Sequence, residues 1–119
     1  FFPLEISGVS RDDVVYYFNA ACCHLLTSDY EGSPNSVKEA LACGVPVVSR
    51  AVGNVGQMIS DSVECYIFNE KNIDVAIDFI ANNYPLPHKS RKNVQAILKE
   101  KKLDMGNIAV KLSNIYREL

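Results

Sequence analysis

Two glutamates, Glu31 and Glu39, stand eight positions apart around a run of small residues and turn formers, Gly32-Ser33-Pro34-Asn35-Ser36-Val37. Carboxylates accept hydrogen bonds from neighbouring hydroxyls, so a ribose or another sugar is their natural partner. The residues between them suit an anion. Gly32 removes a side chain where a ligand would approach the backbone. Pro34 presets the first turn of a helix without wasting a donor. The amides of Asn35, Ser36 and Val37 are then unpaired and point out of the helix start, which suits a diphosphate. Glu39 lies about one turn into that helix, and its side chain leans back toward the start. The two carboxylates thus flank a phosphate-binding edge. A plainer reading fits the same residues. Ser36 and Glu39 match a capping box, S-x-x-E, which needs no ligand, and Glu31 alone reads equally as a solvated loop residue.

The elements around this stretch must hold it. Residues 23–27 form a compact apolar run, read as a buried strand, and 28–35 are rich in turn formers. The following helix runs to about residue 43 with Val37, Ala40 and Leu41 inward. Gly44 ends it in a left-handed cap, with Pro46 just beyond. Residues 45–49 and 65–68 read as further strands, separated by a Gly-bearing loop at 50–56 and one helical turn at 55–59. Upstream, 4–9 alternate weakly and predict a short strand. Ser10 caps a helix to about residue 21, with Asp12 and Asp13 in its first turn and Val14, Val15, Phe18 and Ala21 on one face. One of Tyr16 and Tyr17 is expected to be buried. Downstream, 73–83 is amphipathic, with Val75, Ala76, Phe79 and Ile80 inward. Pro85 and Pro87 break the chain. Residues 88–101 and 104–118 read as helices, the last with Ile108, Leu112 and Ile115 in register. Short strands alternating with helices predict an open parallel sheet with flanking helices. About four strands are expected, fewer than a complete doubly wound domain carries.

Bulk composition narrows the function classes. A length of 119 residues allows one domain, and 48% apolar residues suffice for a core. A formal charge of −2 gives no field that favours nucleic acid. No apolar run approaches a membrane span, and no signal peptide is visible. The opening Phe1-Phe2-Pro3-Leu4 reads as the interior of something longer. Cys22, Cys23, Cys43 and Cys65 lack zinc-type spacing, and each lies in an apolar run, so all read as buried free thiols in a reducing cytosol. His24, inside a strand, reads as a packed core residue. Arg11 begins a helix and lacks the context of a phosphate ligand. Arg50 reads as a solvated loop residue, with reach to a donor phosphate as the alternative. The basic stretch Lys89, Arg91, Lys92, Lys99, Lys101 and Lys102 reads as solvated helix faces, with contact to an anionic membrane carrying a lipid acceptor as the alternative.

The segment Glu31-Gly32-Ser33-Pro34-Asn35-Ser36-Val37-Lys38-Glu39-Ala40 resembles the signature of the retaining glycosyltransferases of family 4. These have the GT-B fold, two Rossmann-like domains facing across a cleft. The flanks agree: Asn19-Ala20-Ala21, Leu25-Leu26-Thr27-Ser28, Ala42-Cys43-Gly44-Val45-Pro46-Val47-Val48-Ser49, and Gly53-Asn54-Val55 with Ile59 resemble the family's neighbouring elements. The resemblance covers roughly 5–69; the helices at about 72–118 carry nothing diagnostic. It implies that residues 1–119 are the second half of a Rossmann-like donor-binding domain in a hexosyltransferase-type enzyme of polysaccharide biosynthesis. Its donor would be a nucleoside-diphosphate sugar and its acceptor a glycan or a lipid-linked sugar. Glu31 matches the catalytic position near the donor sugar. Gly32, Ser33, Pro34, Asn35, Ser36 and Val37 match the stretch that holds sugar and diphosphate. Glu39 matches the ribose ligand. No metal and no cofactor are implied, because amides and basic side chains neutralise the leaving diphosphate. The acceptor domain and the family's basic phosphate ligands are expected upstream, so the fragment alone should be inactive. The implied location is cytoplasmic, peripheral at the membrane if the acceptor is a lipid. Ser33 and Pro34 stand where many members carry an aromatic and a glycine, which leaves the sugar open. The alternatives are a non-catalytic nucleotide-binding or regulatory module, and an unrelated flavodoxin-like or receiver-like domain, for which the required acidic cluster or flavin loop is missing.

Overall fold

The computed structural model describes residues 2–118, without the side chains of Met105 and Tyr116. Among the described residues nine elements follow one another: α1 (Arg11–Ala20), β1 (His24–Leu26), α2 (Asn35–Ala42), β2 (Val47–Arg50), α3 (Val55–Ile59), β3 (Tyr66–Phe68), α4 (Ile73–Asn83), α5 (His88–Glu100) and α6 (Met105–Glu118). Among the described residues the sheet has three strands in the order β1-β2-β3, all parallel. The chain therefore has the expected α/β architecture, a partial Rossmann-like parallel sheet with flanking helices.

The alternation of side chains along β2 creates two layers. Val47 belongs to the larger core, with Leu26, Val37, Ala40, Leu41, Val55 and Val94. Val48, its neighbour, belongs to a second core with Phe68, Ala76 and Tyr84. Successive strand residues point to opposite faces, so a continuous Val-Val run requires cover on both. Helices α2, α3 and α5 contribute to the first layer and α4 to the second.

The junction after α2 is built as its sequence dictates. Gly44 has φ +71°, and a Cβ there would lie 2.8 Å from Arg91 O. Glycine is thus required twice, for the left-handed cap and for the approach of α5. Arg91 Nε donates to Gly44 O at 3.2 Å and Gln95 Nε2 to Ala42 O at 3.3 Å, so α5 caps the C-terminal end of α2. Lys101 pairs with Asp61. Part of the basic stretch is therefore structural rather than a solvated face.

Several expectations need correction. Residues 4–9 form no strand: β1 pairs only with β2, Leu4 is exposed, and Gly8 has φ +66°. Two alternating apolar residues bury too little to fix a strand without a ladder partner. With that strand gone, the expected four become three. Ser10 caps α1 as predicted, accepting from Asp13 N at 3.2 Å. Of its apolar stripe only Phe18 is buried; Val15 is exposed, and both Tyr16 and Tyr17 are exposed. In α4, Ala76 is buried while Phe79 and Ile80 pack against the second core, but Val75 is exposed. Leu112 and Ile115 of α6 are also exposed. Periodicity selects a face; it does not supply a partner. All four cysteines are free, but only Cys65 is buried, the other three being half-buried.

Candidate functional site

An open cleft of about 540 Å³ lies at the carboxyl ends of β1 and β2. Asp29, Tyr30, Glu31 and Gly32 form one wall and Ala51, Val52 and Gly53 the other. Ligands of open parallel sheets bind at this edge. The two loops touch closely. Asn54 N donates to Gly32 O at 3.0 Å. Gly53 has φ +51°, and a Cβ there would meet Gly32 O at 2.2 Å and Glu31 O at 2.6 Å. Only glycine allows the second loop to support the backbone that carries Glu31.

A charged tie lies across the strand ends. Arg50, the last residue of β2, pairs with Asp29 after β1, and its Nη2 lies 3.3 Å from Glu70 Oε1 after β3. Arg50 is thus a strand residue held by two carboxylates, not a solvated loop residue. Asp29 is two residues before Glu31, so the tie anchors the approach to the cleft.

Glu31 and Gly32 are exposed in this cleft. A Cβ on Gly32 would meet nothing within 4 Å, so no protein contact demands the glycine. Ser33 is exposed, and its carbonyl accepts from Lys38 Nζ at 3.4 Å. Pro34 is buried and caps α2 from outside, with φ −64° and ψ 122°; it is not the first helical residue. Helix α2 begins at Asn35 without a side-chain cap, so the first-turn amides of Asn35, Ser36 and Val37 lack helical acceptors. Val37 is fully buried and pins this turn to the core.

The capping box is contradicted. Ser36 lies inside the helix, and its Oγ is 3.2 Å from His24 Nε2 in β1. The His24 ring is half-buried and packs edge-on against Phe18, centroids 5.5 Å apart. Burial lowers its pKa from the ordinary histidine value, because the charged form loses hydration. Glu39, 37% exposed at its side chain, lies 3.9 Å from Arg11 Nε. Arg11, which the sequence offers no reason to place near the motif, thus faces its second glutamate.

Glu39, Ser36 and His24 line a second groove of about 700 Å³ beside β1. Glu31 and Glu39 therefore do not share one depression. Each opens on its own, and the motif loop with the first turn of α2 joins them.

The sequence matches the family described as glycosyl transferases group 1 over residues 6–100. The chain belongs to this family. The match extends past Glu70 into α4 and α5, helices whose sequences carry no diagnostic motif. No curated protein and no solved structure matches the chain. Glycosyl transfer, with a nucleotide-sugar donor and an acceptor in general, is the chemistry of a group 1 chain. Among its described residues no helix is long and apolar enough to cross a membrane.

Sequence reasoning missed how the site is held: the Gly53–Asn54 support, the Arg50 tie, the Arg11–Glu39 pair and the His24–Ser36 bond. The signal for the first was present in Gly53 itself, a glycine in the loop after a strand. The others join residues 12 to 28 positions apart and depend on register and topology.

Proposed function

We propose that the chain is the donor-binding part of a retaining glycosyltransferase of the GT-B type. It would transfer a hexose from a nucleoside-diphosphate sugar to a glycan or lipid-linked acceptor. The observation that carries this reading is the uncapped start of α2 at the carboxyl edge of the parallel sheet, with Glu31 and Glu39 on either side, in a group 1 chain. The amides of Gly32, Ser33, Asn35, Ser36 and Val37 hold the diphosphate and the near side of the sugar. Glu39 accepts from the ribose hydroxyls. Glu31, on the sugar side, binds donor hydroxyls and favours the positive charge that builds at the anomeric carbon as the diphosphate leaves. Amides and basic side chains, not a metal, neutralise that leaving group. A separate domain supplies the acceptor, so the chain by itself transfers no sugar. The work takes place in the cytoplasm, at the membrane surface when the acceptor is a lipid.

Calorimetry with nucleoside diphosphates and their sugars tests the reading. Glu39→Ala should weaken nucleotide binding by about 1–3 kcal/mol, the worth of lost hydrogen bonds to a charged group. Unchanged affinity would remove the ribose role. In the transferase assembled with its acceptor domain, Glu31→Gln should lower kcat more than it raises the donor KM. A change in KM alone would make Glu31 a ground-state contact. Unchanged kinetics would favour the second reading, a nucleotide-binding module without catalysis.

A further inference from the structure

Serine at the second position of a helix ordinarily turns its hydroxyl to solvent or back to the helix's own carbonyls. Ser36 does neither. Its Oγ reaches across to His24 Nε2 at 3.2 Å, tying the first turn of α2 to the edge strand β1. The backbone of His24 is fixed, its N–H donating to Pro46 O at 2.8 Å, and Phe18 packs edge-on against the imidazole. The bond thus joins a ring packed on one side to the turn whose amides are uncapped.

We propose that His24 is a positioning residue for the start of α2, setting whether the Ser36 hydroxyl presents a lone pair or a proton to an anion held by the first-turn amides. In the neutral ring with its proton on Nδ1, Nε2 accepts from Ser36 Oγ–H, and the outward side of the hydroxyl holds only lone pairs. These oppose an anion. When Nε2 takes a proton from solvent, Nε2–H donates to Oγ, and the hydroxyl hydrogen turns outward as one more donor. The imidazolium adds a positive charge behind the helix start. A bound anion in turn favours the protonated ring by the same factor.

The surroundings set the direction. Glu5 from the N-terminal stretch and Glu39 from α2 line the groove with His24. Arg11 of α1 pairs with Glu39. Cys22 and Cys23 lie beside the ring in the groove, and burial pushes the Cys23 thiol up to about 12, far above the range in which a histidine titrates. β2 presents the apolar Val47 as the register partner of His24. Burial lowers the histidine, so the gain in anion affinity comes at acidic pH.

The proposal rests on the donor-binding reading, and one titration separates the two. Sulfate is the probe, because it remains a dianion across the range. The full chain is followed by amide and imidazole NMR from about pH 7.5 to about pH 4.5, a window that reaches well below an ordinary histidine. His24→Gln identifies the ring signal and supplies a partner for Ser36 that cannot titrate. The expected result is that the Ser36 and Val37 amides shift with the His24 midpoint and that sulfate binds these amides about fivefold tighter at the acidic end, a modest two-site coupling. His24→Gln and Ser36→Ala should each flatten that rise. If His24→Gln does not fold, the native titration and Ser36→Ala still decide. Sulfate bound at these amides with pH-independent affinity overturns the role of His24 and leaves the donor-binding reading standing. Failure of sulfate to perturb residues 35–37 at any pH overturns the anion site, and the proposal with it.

Discussion

Helices α2 and α6 have similarly strong apolar stripes in sequence but opposite fates in the fold. In α2, Val37, Ala40 and Leu41 are fully buried, between the sheet and α5. In α6, Leu112 and Ile115 are 50% and 48% exposed, and Ile108 is half-buried. The sequence period is the same in kind; the difference is what stands opposite. Helix α2 follows a strand by a short loop and must pack back on the sheet, so its face has an obligatory partner. Helix α6 follows α5 and has no such constraint. Packing therefore concentrates under the motif, at the start of α2.

Truncation should expose this contrast. Leu41→Ala removes a fully buried side chain and is expected to destabilise the chain by about 2–5 kcal/mol, read by urea unfolding. Near-neutral behaviour would mean that α2 is not the anchor described. Gly53→Ala probes the supporting loop and should cost about 1–3 kcal/mol through its positive φ, with additional cost from the collision with Gly32 O. Its signature is local: the amide signals of Glu31 and Gly32 should shift most, because the new methyl strikes their carbonyls. A spectrum changed elsewhere but not there would refute the support. The smallest effect is expected at Leu112→Ala, within about 0.5 kcal/mol, as for surface sites. A loss as large as that at Leu41 would show α6 packed against a partner and would erase the contrast.

The candidate site is uneven in its legibility. Glu31, Gly32 and the uncapped amides were readable because strand, loop and helix start are contiguous in sequence, and local chemistry fixes them. Pro34 was misplaced by one position, since a proline with φ near −65° suits the cap as well as the first turn; only ψ 122° separates the two. The capping box failed because a spacing of three does not say which way Ser36 turns. Its partner, His24, comes from a strand twelve residues earlier. Residues 4–9 failed for the opposite reason: their alternation is local, but a strand exists only with a neighbour.

The sequence by itself determined the alternation of strand and helix downstream of residue 10, the start of α2 to within one residue, and its stop before Gly44. These follow from bonded geometry, capping and side-chain period, which act over a few residues. Only the tertiary structure decided that Gly53 supports Glu31, that Arg50 ties three strand ends together, that Arg11 faces Glu39 and that His24 holds Ser36. Each of these contacts joins residues brought together by parallel register and helix packing, and no local preference encodes a partner that the chain reaches only after folding.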